Sequence, residues 1–246
     1  MKWISTLAVA AALAACGGST PTARPAQPPP VVKYQNTLPG LTASAPMDLV
    51  QSILVFAPGA ASIVHTHAAP NLATVLQGQI SVKTPSGDKT ASTGFALFEP
   101  VGQPVQAFNR GSAEAMVAGA FPVPHGAKPT APVAGAPAPA TPNRTLYSVT
   151  MALPRLSGGY SVVQQVLDFG PGSQTPRYRL GGSAIVTVLQ GQVTLGSDGV
   201  ETTFSAGDSF TEMQGQPLQA FNRGNVDAIL VASYVLPDGA KLTTNL

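Results

Sequence analysis

His65 and His67 flank Thr66, so on a β-strand both imidazoles leave the same face of the chain. Two imidazoles at that spacing suit a first-row divalent ion such as Fe, Mn, Ni, Cu or Zn, although a pair alone makes a weak site. Period-two counting puts Glu99 on the same face as Leu97, opposite Ala96 and Phe98. If that face turns inward, Glu99 completes a two-His, one-carboxylate set with His65 and His67, the arrangement of non-haem iron oxygenases. Two plainer readings stand beside it. The histidines can be polar residues lining a wet pocket, and Glu99 can be a rim carboxylate bonded to backbone or to a neighbouring Arg or Gln.

An internal repeat supplies a comparison for each of these residues. Gln106-Ala107-Phe108-Asn109-Arg110-Gly111 recurs unchanged as Gln219-Ala220-Phe221-Asn222-Arg223-Gly224, 113 residues later. The same shift matches Val75-Leu76-Gln77-Gly78-Gln79 with Val188-Leu189-Gln190-Gly191-Gln192, and Gly126-Ala127-Lys128 with Gly239-Ala240-Lys241. Under it His65 and His67 become Tyr178 and Leu180, whereas Glu99 remains a glutamate, Glu212, beside Phe210. The pairing of Leu97 with Phe210 makes their face the more consistently apolar one, which favours inward carboxylates in both copies.

The elements that must carry these side chains read as short strands. Alternation runs from Thr74 through Gln77-Gly78-Gln79 into Ile80-Ser81-Val82, then meets the turn cluster Pro85-Ser86-Gly87-Asp88. Further strands are expected over 49–56, 63–67, 95–99, 105–108 and 115–121, with counterparts in the second copy, and no helical periodicity is sustained after the N-terminal segment. Many short strands at regular spacing imply a sandwich or barrel.

Gly59, then His65-Thr66-His67, Asn71 and Gly78 resemble the first motif of the cupin family, with Asn71 where the family has a glutamate. Gly94, then Pro100-Val101-Gly102, Val105 and Asn109 resemble its second motif, with Val105 where the family has a histidine. The second copy keeps Gly172, Gly191, Gly207, Gly215 and Asn222 in the same frame. The resemblance covers residues 45–128 and 158–241. It implies an all-β protein of two tandem cupin-type jelly-roll barrels, a bicupin, whose barrels pair within the chain.

In that family two histidines, a glutamate and a third histidine hold a divalent metal inside the barrel. Carried over, the set in the first barrel is His65, His67 and Asn71 with nothing from Val105, and Glu99 as a substitute carboxylate. The residues demand no cofactor, and the resemblance implies at most one divalent transition metal, Fe, Mn, Zn, Ni or Cu, in barrel 1. The same positions in the second barrel read Tyr178, Leu180, Ala184 and Leu218, which is no ligand set, so Tyr178 and Glu212 are candidates for lining a pocket instead. Arg177 and Arg179 alternate away from Tyr178 and are expected at the surface. Gln77, Gln79, Gln103 and Gln106 could form a polar carbohydrate-binding lining, but Asn109-Arg110-Gly111 reads more simply as a hairpin turn.

Ahead of the repeats, Lys2 and the apolar run from Ile4 to Ala14 lead into Leu13-Ala14-Ala15-Cys16. The run is short of the roughly 20 residues that span a bilayer. The segment resembles the signal and lipobox of bacterial lipoproteins, which makes Cys16, the only cysteine, the lipidated residue. That resemblance implies membrane attachment through lipid on Cys16 and a place on the periplasmic side of the envelope, at the outer membrane of a diderm bacterium. Residues 17–40, with Pro28-Pro29-Pro30, read as a Pro-rich tether, and 130–143, with Pro132, Pro137, Pro139 and Pro142, as a linker. The expected divisions are therefore signal 1–16, tether 17–40, barrel 41–129, linker 130–143 and barrel 144–246.

A net charge of +2 from 13 basic and 11 acidic residues, with no charge runs, argues against nucleic acid as a partner. No Ser-His-Asp pattern or phosphate-cradling loop is present, and the sole tryptophan, Trp3, lies in the signal. What remains is a small-molecule-binding or structural module, with a metal-dependent oxygenase, decarboxylase or isomerase using His65, His67 and Glu99 as the alternative.

Overall fold

Alternating apolar and polar residues, broken by Gly-, Pro- and Asn-containing turns, produce strands and no helix in the computed structural model, which describes residues 27–43 and 46–246. The segment expected to be a signal, with Cys16, lies outside the described residues. The first repeat supplies β1 (Val31–Thr42), β2 (Met47–Phe56), β3 (His65–His67), β4 (Asn71–Gln77), β5 (Gln79–Thr84), β6 (Gly87–Ser92), β7 (Ala96–Glu99), β8 (Gln106–Phe108), β9 (Ala115–Pro124) and β10 (Thr130–Pro132). The second supplies β11 (Arg144–Ala152), β12 (Gly159–Phe169), β13 (Tyr178–Leu180), β14 (Ser183–Gln190), β15 (Gln192–Ser197), β16 (Val200–Ser205), β17 (Ser209–Glu212), β18 (Pro217–Phe221), β19 (Ala228–Pro237) and β20 (Thr243–Asn245).

Each repeat folds into two facing sheets, giving the two-barrel, all-β architecture expected from the sequence. Barrel 2 joins β1-β12-β19-β14-β17 to β16-β15-β18-β13-β20. Barrel 1 joins β11-β2-β9-β4-β7 to β6-β5-β8 and β10-β3. These last two pieces are linked by reciprocal backbone hydrogen bonds between His65 and Val105.

The strand order corrects the expected divisions. β1, placed in the 17–40 tether, pairs antiparallel with β12 of barrel 2, while β11, assigned to barrel 2 within 144–246, pairs with β2 of barrel 1. The barrels thus exchange their first strands, and each arm covers an edge of the other barrel that would otherwise expose unpaired backbone groups. The supposed linker is also seated on barrel 1. β10 pairs with β3, Ala61 N–H donates to Thr141 O at 2.9 Å, and Asn143 N–H donates to Ala61 O at 3.0 Å. The same contact recurs on barrel 2, where Gln174 N–H donates to Pro28 O at 3.1 Å. Proline richness in these segments marks extended chain with few donors, which suits edge strands as well as tethers.

The exchange is clasped by matched side chains. Tyr34 of β1 packs over Gly94, and its repeat counterpart Tyr147 of β11 packs over Gly207; a Cβ on Gly94 would approach within 2.7 Å of the Tyr34 ring. Between the barrels, Leu49 and Leu72 meet Ile185 and Val235 in one apolar cluster. Within it the buried Gln51 amide donates to Thr187 Oγ1 at 2.7 Å.

Two repeated motifs owe their retention to backbone geometry. Gly78 and Gly191 have φ of 73° and 69°, and a Cβ at either would fall 2.8 Å or 2.4 Å from a backbone oxygen of the neighbouring turn. Asn109 is buried, with Nδ2 donating to Phe56 O and Ala113 O while Oδ1 accepts from Gly111 N–H; Asn222 repeats all three bonds. The Asn-Arg-Gly turn is held to the end of the long strand before it.

Candidate functional site

β3 and β7 bring three of the expected barrel 1 residues into one buried interior. His65, His67 and Glu99 are each less than 9% exposed, and Leu97 is buried while Phe98 is exposed, so the inward turn read from the apolar face is the one adopted. The register Asn71↔Glu99 across β4 and β7 adds the carboxamide. Asn71 Nδ2 donates to Glu99 Oε2, and His67 Nε2 lies 2.9 Å from the same oxygen, within charge-pair distance but off hydrogen-bond geometry. Burial alone would raise the Glu99 carboxyl, yet the His67 imidazole and the Asn71 amide outweigh it and hold the group below the ordinary glutamate range.

His65 is turned to other work. Its Nδ1 sits 2.8 Å from Ile63 O, which makes that nitrogen the donor and leaves Nε2 with the lone pair. Burial lowers its pKa, partly offset by the Ile63 bond. The two imidazoles meet edge to face at 4.7 Å between ring centres. Among the described residues no three His, Cys, Asp or Glu side chains are arranged to hold a metal ion. The expected triad of His65, His67 and Glu99 is therefore brought together as a His67–Glu99–Asn71 cluster with His65 alongside, and these residues as placed do not fit a resident metal. His67 Nδ1 and Asn71 Oδ1 remain buried without a partner. The inner cavity beside them measures only ≈ 70 Å³, and His65 separates it from a wider groove at the mouth.

Barrel 2 has one continuous cavity of ≈ 230 Å³ that reaches from the buried glutamate to the mouth. At the same register, Ala184↔Glu212 replaces Asn71↔Glu99, and Leu180 replaces His67. Glu212 is 5% exposed and its Oε1 accepts from the Tyr178 hydroxyl at 2.9 Å. Burial pushes the Glu212 carboxyl up to about 7, only partly relieved by that bond. Burial also raises the Tyr178 and Tyr234 phenols, and the Glu212 charge adds to both shifts. Tyr178 and Glu212 thus meet inside the barrel, and Arg177 and Arg179 are exposed.

Two further residues of this pocket escaped the sequence reading. Tyr234 on β19 donates to Gln165 Oε1 at 3.3 Å, and Gln165 Nε2 donates to Gln35 Oε1 on the exchanged arm at 2.6 Å. Their repeat counterparts are Phe121 and Ser52, so no shared motif marks them; the available signal was a polar residue on an otherwise apolar inward face. Gln77, Gln79 and Gln103 are exposed, and Gln106 bonds Ser62 O, so the idea of a glutamine lining is not met.

Known proteins agree with this architecture. Residues 165–234 match the cupin domain family model, and the 113-residue repeat carries the same elements into the first barrel. The fold is similar to oxalate decarboxylase of Bacillus subtilis, at TM-score 0.60 and 12% identity over 88% of this chain and 79% of that one. It is also similar to the vicilin of hazelnut, Corylus avellana, at TM-score 0.60 and 13% identity over 84% and 85%. AerE from Microcystis aeruginosa matches at TM-score 0.55 and 13% identity, over 85% of this chain and 98% of that one. No curated protein sequence matches. The chain has the tandem cupin fold, two barrels related by the internal repeat and joined by exchanged strands, with the cupin family match lying in the second.

Proposed function

We propose that this protein is a lipid-anchored envelope protein that holds a small molecule inside its second cupin barrel. The observation that carries the reading is the ≈ 230 Å³ cavity of barrel 2, with apolar walls and a few convergent polar groups, Glu212, Tyr178, Tyr234 and Gln165. Both ligating histidine positions there are Tyr178 and Leu180, so that barrel offers shape and hydrogen bonding rather than metal chemistry. Support for the envelope location is the Leu13-Ala14-Ala15-Cys16 segment together with a chain of low charge and no other cysteine.

Two measurements test this. A fragment panel of small amines, alcohols, carboxylates and aromatics is screened by thermal unfolding, with Ala220→Phe as a variant whose ring fills the cavity. Stabilisation of the wild type by at least one member, lost in Ala220→Phe, is expected, because a ligand at 100 times its Kd adds about 2.7 kcal/mol. No response from any member removes the binding reading. Location is tested by Cys16→Ser, which should release the protein from membranes or leave an uncleaved precursor; equal membrane recovery of both forms defeats the anchor.

The oxalate decarboxylase neighbour has Mn(II) centres. Metal-dependent catalysis is the competing function for barrel 1, and elemental analysis after reconstitution with Fe, Mn, Zn, Ni or Cu decides it. About one metal per chain, lost in His65→Ala, His67→Ala and Glu99→Gln but kept in Glu212→Gln, would support the enzyme reading.

A further inference from the structure

Barrel 2 keeps one acid in an apolar interior and gives it no cation. The ≈ 230 Å³ cavity is walled by residues such as Leu167, Phe169, Val186, Phe210 and Leu230, and among the described residues no Lys, Arg or His lines it. Tyr178 occupies Oε1 of Glu212, and among the described residues no donor reaches Oε2. Among the described residues the other buried carboxylates are compensated: Glu99 by His67 and Asn71, and Asp48 by Gly126 N–H and His125. Glu212 is the exception, and it faces space.

That space is shaped for an organic body with a polar end. At about 30 Å³ per water it would take roughly eight waters, yet its walls offer them few partners. Its mouth lies between Pro30 and Val32 of the exchanged arm and Thr243 and Asn245 of the C-terminal strand, all partly or fully exposed, which gives an entry path. At the inner end Tyr178 and Tyr234 line the cavity together with the carboxylate. An ammonium group placed on Oε2 would supply the missing countercharge through a charge-assisted hydrogen bond, about twice as strong as a neutral one. An anion would meet Glu212 with like charge, and a neutral alcohol would leave its charge uncompensated.

We infer that barrel 2 is a binding site for a small monocationic amine with a compact apolar body, its ammonium on Glu212 and its hydrocarbon against the Leu167–Phe210–Leu230 wall. The inference rests on the reading of this barrel as a small-molecule site and names the ligand class. The titratable groups facing Glu212 are Tyr178 on β13 and Tyr234 on β19. Both phenols are raised and stay neutral between pH 6 and 8, so ionisation of Glu212 alone sets the pH dependence.

The test uses cyclohexylamine, cyclohexanol and cyclohexanecarboxylate, matched in body and different in charge, titrated calorimetrically into the mature protein. At pH 8 the amine should bind at least tenfold more tightly than the alcohol, and the carboxylate should not bind. Lowering the pH to 6 should weaken the amine about tenfold, as expected for a partner carboxylate titrating near 7, and leave the alcohol unchanged. Glu212→Gln should abolish the preference for the amine, while Tyr178→Phe, which keeps the carboxylate, should retain it. Equal or tighter binding of the alcohol overturns the cation assignment and leaves the wider ligand-binding reading standing. If none of the three binds, the amine assignment falls, and the fragment panel with Ala220→Phe judges the wider reading separately.

Discussion

Glu99 and Glu212 occupy the same position in two copies of one barrel, yet their surroundings drive their charges in opposite directions, so one substitution should have opposite effects at the two sites. The rise of the Glu212 carboxyl from an ordinary 4.5 to about 7 is due to burial. Between those values the folded state holds a proton that the unfolded state has released, so stability falls as pH rises through that window and levels off above it. The shift corresponds to about 3 kcal/mol of destabilisation at pH 8. Glu212→Gln removes this cost and still accepts from the Tyr178 hydroxyl, but its new amide donor lacks a partner, a loss of about 1 kcal/mol. The net gain of about 2 kcal/mol at pH 8 should raise Tm by roughly 4 to 8 °C. For Glu99 the sign reverses. Its depressed pKa contributes stability above the unfolded value that is lost as pH falls through the folded one, so Glu99→Gln should lower Tm at pH 8. Calorimetric melts of wild type and both variants from pH 4 to 8.5 give difference curves from which the other carboxylates cancel. A Glu212→Gln protein less stable than wild type at pH 8, or a gap that persists unchanged to pH 4, would refute the reasoning.

The strand exchange makes a proteolytic nick informative: cleavage between Pro132 and Thr141 should leave both pieces together in native size-exclusion chromatography, separating only in denaturant. Fragments that part without denaturant would contradict the β1–β12 and β11–β2 pairings. Asn222→Ala should cost about 3 kcal/mol, because Phe169 O, Val226 O and Gly224 N–H are left short of a partner, and Asn109→Ala should cost a similar amount in barrel 1. Denaturant unfolding at neutral pH checks both, and a loss under about 1 kcal/mol in either would mean that the turn holds without its side chain.

The duplication made much of the fold legible. A constant 113-residue shift fixed two equivalent units, and period-two counting at Leu97 and Phe210 was enough to turn Glu99 and Glu212 inward. What stayed hidden was pairing between distant segments. Val31–Thr42 alternates, but nothing local names β12 as its partner, and the preceding prolines suggested a tether. One signal was present: Tyr34 and Tyr147 are also 113 apart, which places the arm inside the repeat. The side-chain chemistry of the site was less legible. That His65 bonds Ile63 O and leaves His67 to Glu99 depends on ring orientations within a few ångströms, which spacing along a strand does not encode.

The two barrels show how duplication lets one framework carry different electrostatics. In barrel 1 a histidine and an asparagine close around the carboxylate and leave an inner cavity of ≈ 70 Å³, apart from the wide groove at the mouth. In barrel 2, leucine and alanine at those two positions withdraw every compensating group among the described residues except a tyrosine hydroxyl, and a single cavity of ≈ 230 Å³ runs from the carboxylate to the mouth. A glutamate retained under those conditions destabilises the protein that holds it. Substitution by glutamine, valine or leucine would be neutral or stabilising if Glu212 served only to fill space. The charge cost of about 3 kcal/mol at pH 8, which Glu212→Gln removes before the loss at its amide, is therefore also the energy available to a cation that restores the missing charge. A ligand that closes this gap should raise wild-type Tm toward that of the variant and stabilise the variant no more than the matched alcohol does.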